Sequence, residues 1–115
     1  MHEYPVTKRI IEIAEKYGLE HSARSVTAIN LVVGEASGYV ADSIELYFPI
    51  VAEGTLCGNA RLHIRKTEPM LRCNRCGQSF LRKPFEFSCI NLGCGGEGEP
   101  TETGREFYVE SIEID

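Results

Sequence analysis

Two groups of residues in this 115-residue chain have the types and spacing that hold a metal ion. The first is the chain start, Met1-His2-Glu3. An N-terminal amine, the His2 peptide nitrogen and the His2 imidazole can cover three corners of a square, and Glu3 or another group can fill the fourth. Flat nitrogen/oxygen sites suit Ni(II) or Cu(II). The second group is four cysteines, Cys73 and Cys76 in Cys-Asn-Arg-Cys-Gly and Cys89 and Cys94 in Cys-Ile-Asn-Leu-Gly-Cys-Gly-Gly, with twelve residues between the pairs. Zinc takes four thiolates at the corners of a tetrahedron, and cysteines a few residues apart meet that geometry. Gly77 and Gly95 follow the second cysteine of each pair. Glycine there permits a left-handed turn that aims backbone N–H groups at sulfur. A closed all-cysteine set leaves no open coordination position, so the expectation is structural Zn(II) and no enzyme. A redox pair fits less well, because both pairs lie in turn-rich sequence rather than at a helix start after a strand.

Composition narrows the setting. The length suits one domain, or one domain plus a small metal module. The odd count of five cysteines, with no basic and apolar leader at the N-terminus, favours metal binding over disulfides and a cytoplasmic location. No apolar run is long enough to cross a membrane. The formal charge is −5 but unevenly placed. Residues 61–84 carry Arg61, Arg65, Lys66, Arg72, Arg75, Arg82 and Lys83 against Glu68, whereas residues 97–115 are acidic apart from Arg105. Two segments of opposite sign can face each other across paired strands, or each can simply be solvated.

The elements that must position these groups follow from periodicity. Val6, Ile10, Ile13, Ala14 and Tyr17 predict an amphipathic helix over 5–17, entered through Pro5 and stopped by Gly18. The metal-binding tripeptide is then a short, flexible arm ahead of it. Ser25–Val33 is rich in β-branched residues with apolar groups on both faces, as a mid-sheet strand requires. A second helix is expected from Asp42, capped by Asp42 or Ser43, with Ile44, Tyr47, Phe48 and Val51 inward; Pro49 should kink or end it. Ala60–Lys66 alternates as a half-buried strand with Leu62 and Ile64 inward and His63 outward. Arg105–Asp115 reads as a strand whose phase slips before Ile112, the mark of a bulge. Cys57 reads as a buried, inert thiol. The resulting fold class is α+β: two helices on one face of a small three-stranded sheet, with a four-cysteine zinc ribbon inserted before the last strand. The division is 1–68 plus 103–115 for the sheet domain and 69–102 for the ribbon.

These residues resemble a known family. Met1-His2-Glu3, Gly34-Glu35-x-Ser37-Gly38, Gly54-Thr55, the cysteine pairs, Gly104-Arg105-Glu106 and Ser111-Ile112-Glu113 are similar to the HypA-type hydrogenase nickel-incorporation proteins, the HypA/HybF family of nickel metallochaperones. The resemblance implies that His2 is the main nickel ligand with the Met1 amine and Glu3 beside it. It implies that Cys73, Cys76, Cys89 and Cys94 bind zinc. It implies a nickel-insertion GTPase and the [NiFe]-hydrogenase large subunit as partners, with urease served by some members. The expected assembly is a monomer or weak homodimer. Two features depart from the family: Cys89-x4-Cys94 where Cys-x2-Cys is usual, and Pro49 in the second helix.

Other readings remain open on sequence. A nucleic-acid-binding ribbon would use the basic stretch, but the acidic total and the lack of interleaved aromatics there speak against it. A zinc hydrolase lacks a His-Glu-x-x-His stretch. A zinc-ribbon adaptor would bind the same partners without nickel.

Overall fold

The computed structural model describes residues 3–115. Its order is α1 (Glu3–Glu20), β1 (Val26–Gly34), α2 (Ala41–Ala52), β2 (Arg61–Thr67), β3 (Met70–Cys73), β4 (Ser79–Leu81), β5 (Gly98–Pro100) and β6 (Phe107–Ile114). Two three-stranded sheets form, β2-β1-β6 and β4-β3-β5. The first sheet is interrupted in sequence by the second, and the molecule is elongated, 58 × 28 × 16 Å.

Helix α1 starts two residues before Pro5 and runs past Gly18. Pro5 is tolerated because the first-turn N–H groups have no intrahelical partner. Gly18 is buried, and a side chain there would press on Val26; its role is close packing, not termination. The stop comes from Ser22 at φ 57° and from Ala23 N–H bonding the Gly18 carbonyl, 2.9 Å. The buried face is Glu3, Thr7, Ile10, Ile11, Ala14 and Gly18, so Tyr17, expected inward, is 53% exposed.

Strand β1 is central, parallel to β2 and antiparallel to β6. Its Val26, Ile29, Leu31 and Val33 join Ile10, Ile11 and Ala14 of α1 and Ile44, Phe48 and Ala52 of α2 in one core. Leu62, Ile64, Val109 and Ile112 close it from the flanking strands. The register shift between Asn30 and Leu31 leaves Glu110 of β6 unpaired, the expected bulge. Glu110 then meets Arg65 at 3.1 Å across the central strand. The two oppositely charged segments also face each other at Arg72 and Glu99 in the second sheet.

Helix α2 continues through Pro49 to Ala52. The proline removes one hydrogen bond, but Phe48, Val51 and Ala52 are held by the core on either side. Neither Asp42 nor Ser43 caps it. The N-cap is Val40, with no side-chain cap of its own. Glu3 of α1 supplies the acceptor instead, taking the Val40 N–H at 3.1 Å. Glu15, three turns along α1, takes the Leu56 N–H at 3.0 Å beyond the far end of α2. Two carboxylates of one helix thus pin both ends of the other.

Candidate metal centre

The cysteine site is built on strand ends and turns. Cys73 closes β3, and the chain turns back through Gly77 at φ 79°, with Gly77 N–H bonding the Cys73 carbonyl at 3.1 Å. The second pair is placed by Cys89 N–H on the Gly96 carbonyl, 3.0 Å, and Cys94 N–H on the Asn91 carbonyl, 3.2 Å. Gly93 and Gly95, at φ 78° and 72°, let the wider Cys89–Cys94 loop close. Asn74 ties the loops together: its N–H bonds the Glu97 carbonyl at 2.9 Å and its Oδ1 accepts the Glu97 N–H at 3.2 Å. Gly96 lies so close that a Cβ there would run into the Cys73 sulfur.

All four sulfurs lie within 4.8 Å of one another. Cys73 and Cys94 sulfurs are 3.7 Å apart and those of Cys76 and Cys89 3.6 Å apart. A Zn–S bond of about 2.3 Å in a tetrahedron requires sulfurs roughly 3.8 Å apart. A disulfide needs about 2.05 Å, and all five cysteines are free thiols. The spacing therefore fits a tetrahedral thiophilic ion.

The surroundings favour thiolate. The Cys73 sulfur receives the N–H of Arg75 at 3.3 Å and of Cys76 at 3.4 Å. The Cys76 and Arg75 N–H groups hold its acidity near a pKa of about 6. The Gln78 N–H lowers Cys76 in the same way. For Cys89 the Asn91 N–H pulls downward, but desolvation and the neighbouring thiols push the group up to about 12. Four thiols in contact cannot all ionise unaided, because each thiolate repels the next. A divalent cation removes that obstacle.

Little else holds the ribbon. Leu71, Cys73 and Phe80 are its buried side chains, packed with Cys89 and Cys94. Leu81, Phe85, Phe87 and Ile90 are 47%, 97%, 54% and 61% exposed, so most of the ribbon's large apolar side chains add little to its core.

The other expected site falls differently. Met1 and His2 lie outside the described residues. Glu3 does not sit on an arm ahead of the helix: it is the first residue of α1, only 6% exposed. The Val40 N–H holds its carboxyl below the usual glutamate range. Sequence reasoning missed this tie, because nothing local links Glu3 to a residue 37 positions away. His63 is exposed on β2, and His21 is exposed with Nδ1 2.8 Å from the Tyr17 carbonyl. Neither joins the cluster. Cys57 is fully buried, and burial together with nearby Glu15 pushes its thiol up to about 11.

Residues 1–114 match the family model described as hydrogenase/urease nickel incorporation, metallochaperone, hypA. The hydrogenase maturation factor HypA of Caldanaerobacter subterraneus subsp. tengcongensis is 34% identical over the whole of both chains. That of Geobacter metallireducens is 33% identical, again over the whole of both. The solution structure of the Ni metallochaperone HypA from Helicobacter pylori superposes with a TM-score of 0.65 at 25% identity, covering 99% of this chain and 97% of that one. The chain belongs to the HypA family of hydrogenase and urease nickel-incorporation metallochaperones.

Proposed function

We propose that the chain binds Ni(II) through the Met1 amine and His2, with Glu3 beside them, and delivers it during [NiFe]-hydrogenase maturation. The observation that carries this reading is the match of residues 1–114, chain start included, to a nickel-incorporation family. Glu3 serves two ends here. Its tie to Val40 anchors the start of α1 to α2. A ligand set this small, at a chain start, favours transfer over permanent retention.

Cys73, Cys76, Cys89 and Cys94 would hold Zn(II), which supplies folding energy and charge neutralisation when bound. The protein's own part is the N–H groups of Arg75, Cys76 and Asn91 aimed at sulfur. The working units are 1–68 plus 103–115 for nickel and 69–102 for zinc. The partners are a nickel-insertion GTPase and the hydrogenase large subunit, met in the cytoplasm as a carrier and not as an enzyme. Among the described residues no helix is long and apolar enough to cross a membrane.

The test is calorimetry with Ni(II) on untagged, zinc-loaded protein beside His2→Ala. Wild type should bind one nickel, and His2→Ala should lose it while keeping its zinc. Nickel retained by His2→Ala at wild-type affinity refutes the assignment.

A further inference from the structure

Strand β6 is an edge. It pairs with β1 and, among the described residues, with no strand on its other side. A row of unpaired N–H and C=O groups there is a template for another strand. The two ends of β6 show which residues form that row. Glu106 faces β1, its carbonyl taking the Gly34 N–H at 2.6 Å, and Asp115 faces β1, its N–H on the Ser25 carbonyl at 3.0 Å. Backbone groups alternate in direction along an antiparallel strand. Counted from Glu106, the groups of Phe107 and Val109 point away from β1; counted back from Asp115, so do those of Ile114 and Ile112. The bulge at Glu110 takes up the change of phase. The strand is therefore symmetric about its middle: Phe107 mirrors Ile114, Tyr108 mirrors Glu113, Val109 mirrors Ile112 and Glu110 mirrors Ser111. Beside this edge, Ile13 and Tyr17 of α1 and the apolar residues of β6 line an open groove of about 740 Å³, in which Tyr17 and Ile114 are 53% and 41% exposed.

We propose that β6 pairs antiparallel with β6 of a second copy, about a twofold axis between Glu110 and Ser111, joining the two first sheets into one. Phe107 then lies opposite Ile114 of the second copy and Val109 opposite Ile112, each pair exchanging both its N–H···O bonds. Without the bulge, an axis between two residues would set inward-pointing groups against outward-pointing ones. Both α1 helices fall on the same face, over the seam, where Ile13 and Tyr17 of the two copies close the groove. Symmetry selects the occupant. A foreign strand needs a bulge of its own at the matching place, and β2, the other edge of the sheet, alternates without one. Charge permits the pairing. On the open face Tyr108 stands opposite Glu113 of the second copy and Glu110 opposite Ser111, so within the strand no carboxylate faces another. Glu110 is bonded to Arg65 at 3.1 Å, and Arg61 flanks Ala28 across from Glu113 of its own copy. At the ends Glu106 meets Asp115 of the second copy, but the Glu106 carboxylate accepts from Thr67 and Gly104, and Asp115 pairs with Arg24 at 3.4 Å. Outside its buried face α1 carries Lys8, Arg9 and Lys16 against Glu12, Glu15 and Glu20, and so adds no net charge. His21, at the end of the groove, has Nδ1 on the Tyr17 carbonyl. The pairing stands apart from nickel delivery.

The test uses full-length, untagged, zinc-loaded protein. Sedimentation equilibrium up to about 1 mM should show a monomer–dimer equilibrium. Amide exchange by NMR, at concentrations on either side of the transition, should show protection of Phe107, Val109, Ile112 and Ile114 that appears only in the dimer. Tyr108 and Glu113, whose groups face β1, should be protected at both. Ile114→Pro removes an outward N–H and leaves the ladder to β1 intact. It and Tyr17→Ser should each raise the dimer Kd by about tenfold or more. Phe85→Ser, at a ribbon side chain 97% exposed, should leave that Kd unchanged. The proposal is overturned if the protein is monomeric at about 1 mM, if the four outward amides exchange equally at both concentrations, or if both variants dimerise as wild type does. A dimer lost in Phe85→Ser and kept in the other two overturns it equally. Should Ile114→Pro change the circular dichroism, amide exchange and Tyr17→Ser give the answer.

Discussion

The carboxylate of Glu3 accepts the Val40 N–H at 3.1 Å from a buried position, and this places a charged group of the proposed nickel segment inside the fold. Its carboxyl lies below the ordinary value of 4.5 because that bond favours the charged form. The stability it adds is therefore complete above 4.5 and is lost as pH falls through the lowered value. Glu3→Gln keeps an acceptor but not the charge. Its melting temperature should lie below that of wild type at pH 7, with the gap closing in acid; a gap that stays constant down to about pH 3 would show that the charge contributes nothing. Glu3→Ala, which leaves the N–H without this partner, should melt lower still. Cys57 gives a second outcome at this scale. A thiol held up to about 11 and fully buried supplies almost no thiolate at neutral pH. Iodoacetamide on the native zinc-loaded protein should leave Cys57 unmodified by mass spectrometry. Rapid labelling there would contradict both its burial and its raised pKa.

Among the elements, the ribbon depends most on its ligands. With Leu71 and Phe80 as its large buried side chains, it cannot bury enough apolar surface to offset the ordering of some thirty residues. Cys73→Ala, or chelation, should collapse the amide dispersion of β3, β4 and β5 while α1, α2 and the first sheet keep theirs. A ribbon that stays ordered by amide NMR without metal would refute this. Two glycines sharpen the point. Gly96→Ala forces a Cβ into the Cys73 sulfur and against Arg75, so cobalt-substituted protein should lose its thiolate-to-metal absorption. Gly93→Ala meets nothing nearby and bears only the strain of φ 78°, about 1 kcal/mol, so that absorption should persist. These elements also show what the sequence disclosed. Alternation exposed β2, β-branched residues exposed β1, and the phase slip before Ile112 signalled a bulge, which the structure places at Glu110, because those signals are local. The span and cap of α2 were not legible. Pro49 is a strong local signal overruled by core packing on either side, and the cap comes from Glu3 on another helix. Gly18 misled for the same reason: a glycine kept for contact with Val26 looks identical, in sequence, to one kept for a stop. The cysteine cluster was legible because zinc-ligand spacing is itself a short-range pattern.

At the scale of the whole molecule, the question is whether the two sheets move as one body. The chain crosses between them twice, and the crossings are clasped. Glu106 Oε1 accepts the Thr67 hydroxyl at 2.7 Å and the Gly104 N–H at 2.6 Å, and its backbone carbonyl takes the Gly34 N–H at 2.6 Å. Glu35 N–H reaches the Thr67 carbonyl at 2.8 Å and Ala36 N–H the Gly104 carbonyl at 2.7 Å. Gly34 and Gly104 are backbone to backbone here: a side chain on Gly34 would strike the Gly104 carbonyl, and one on Gly104, at φ 94°, would strike Pro69. A clasp this dense around one carboxylate should hold the ribbon at a set angle to the first sheet. Glu106→Ala removes the acceptor shared by Thr67 and Gly104 without touching either core. Both modules should stay folded and zinc-loaded, but their residual dipolar couplings should no longer fit a single alignment tensor. Thr67→Ser, which keeps the hydroxyl, should retain the common tensor. If Glu106→Ala keeps one tensor as well, the backbone bonds through Gly34, Glu35 and Ala36 suffice alone, and the carboxylate is not what couples the two sheets.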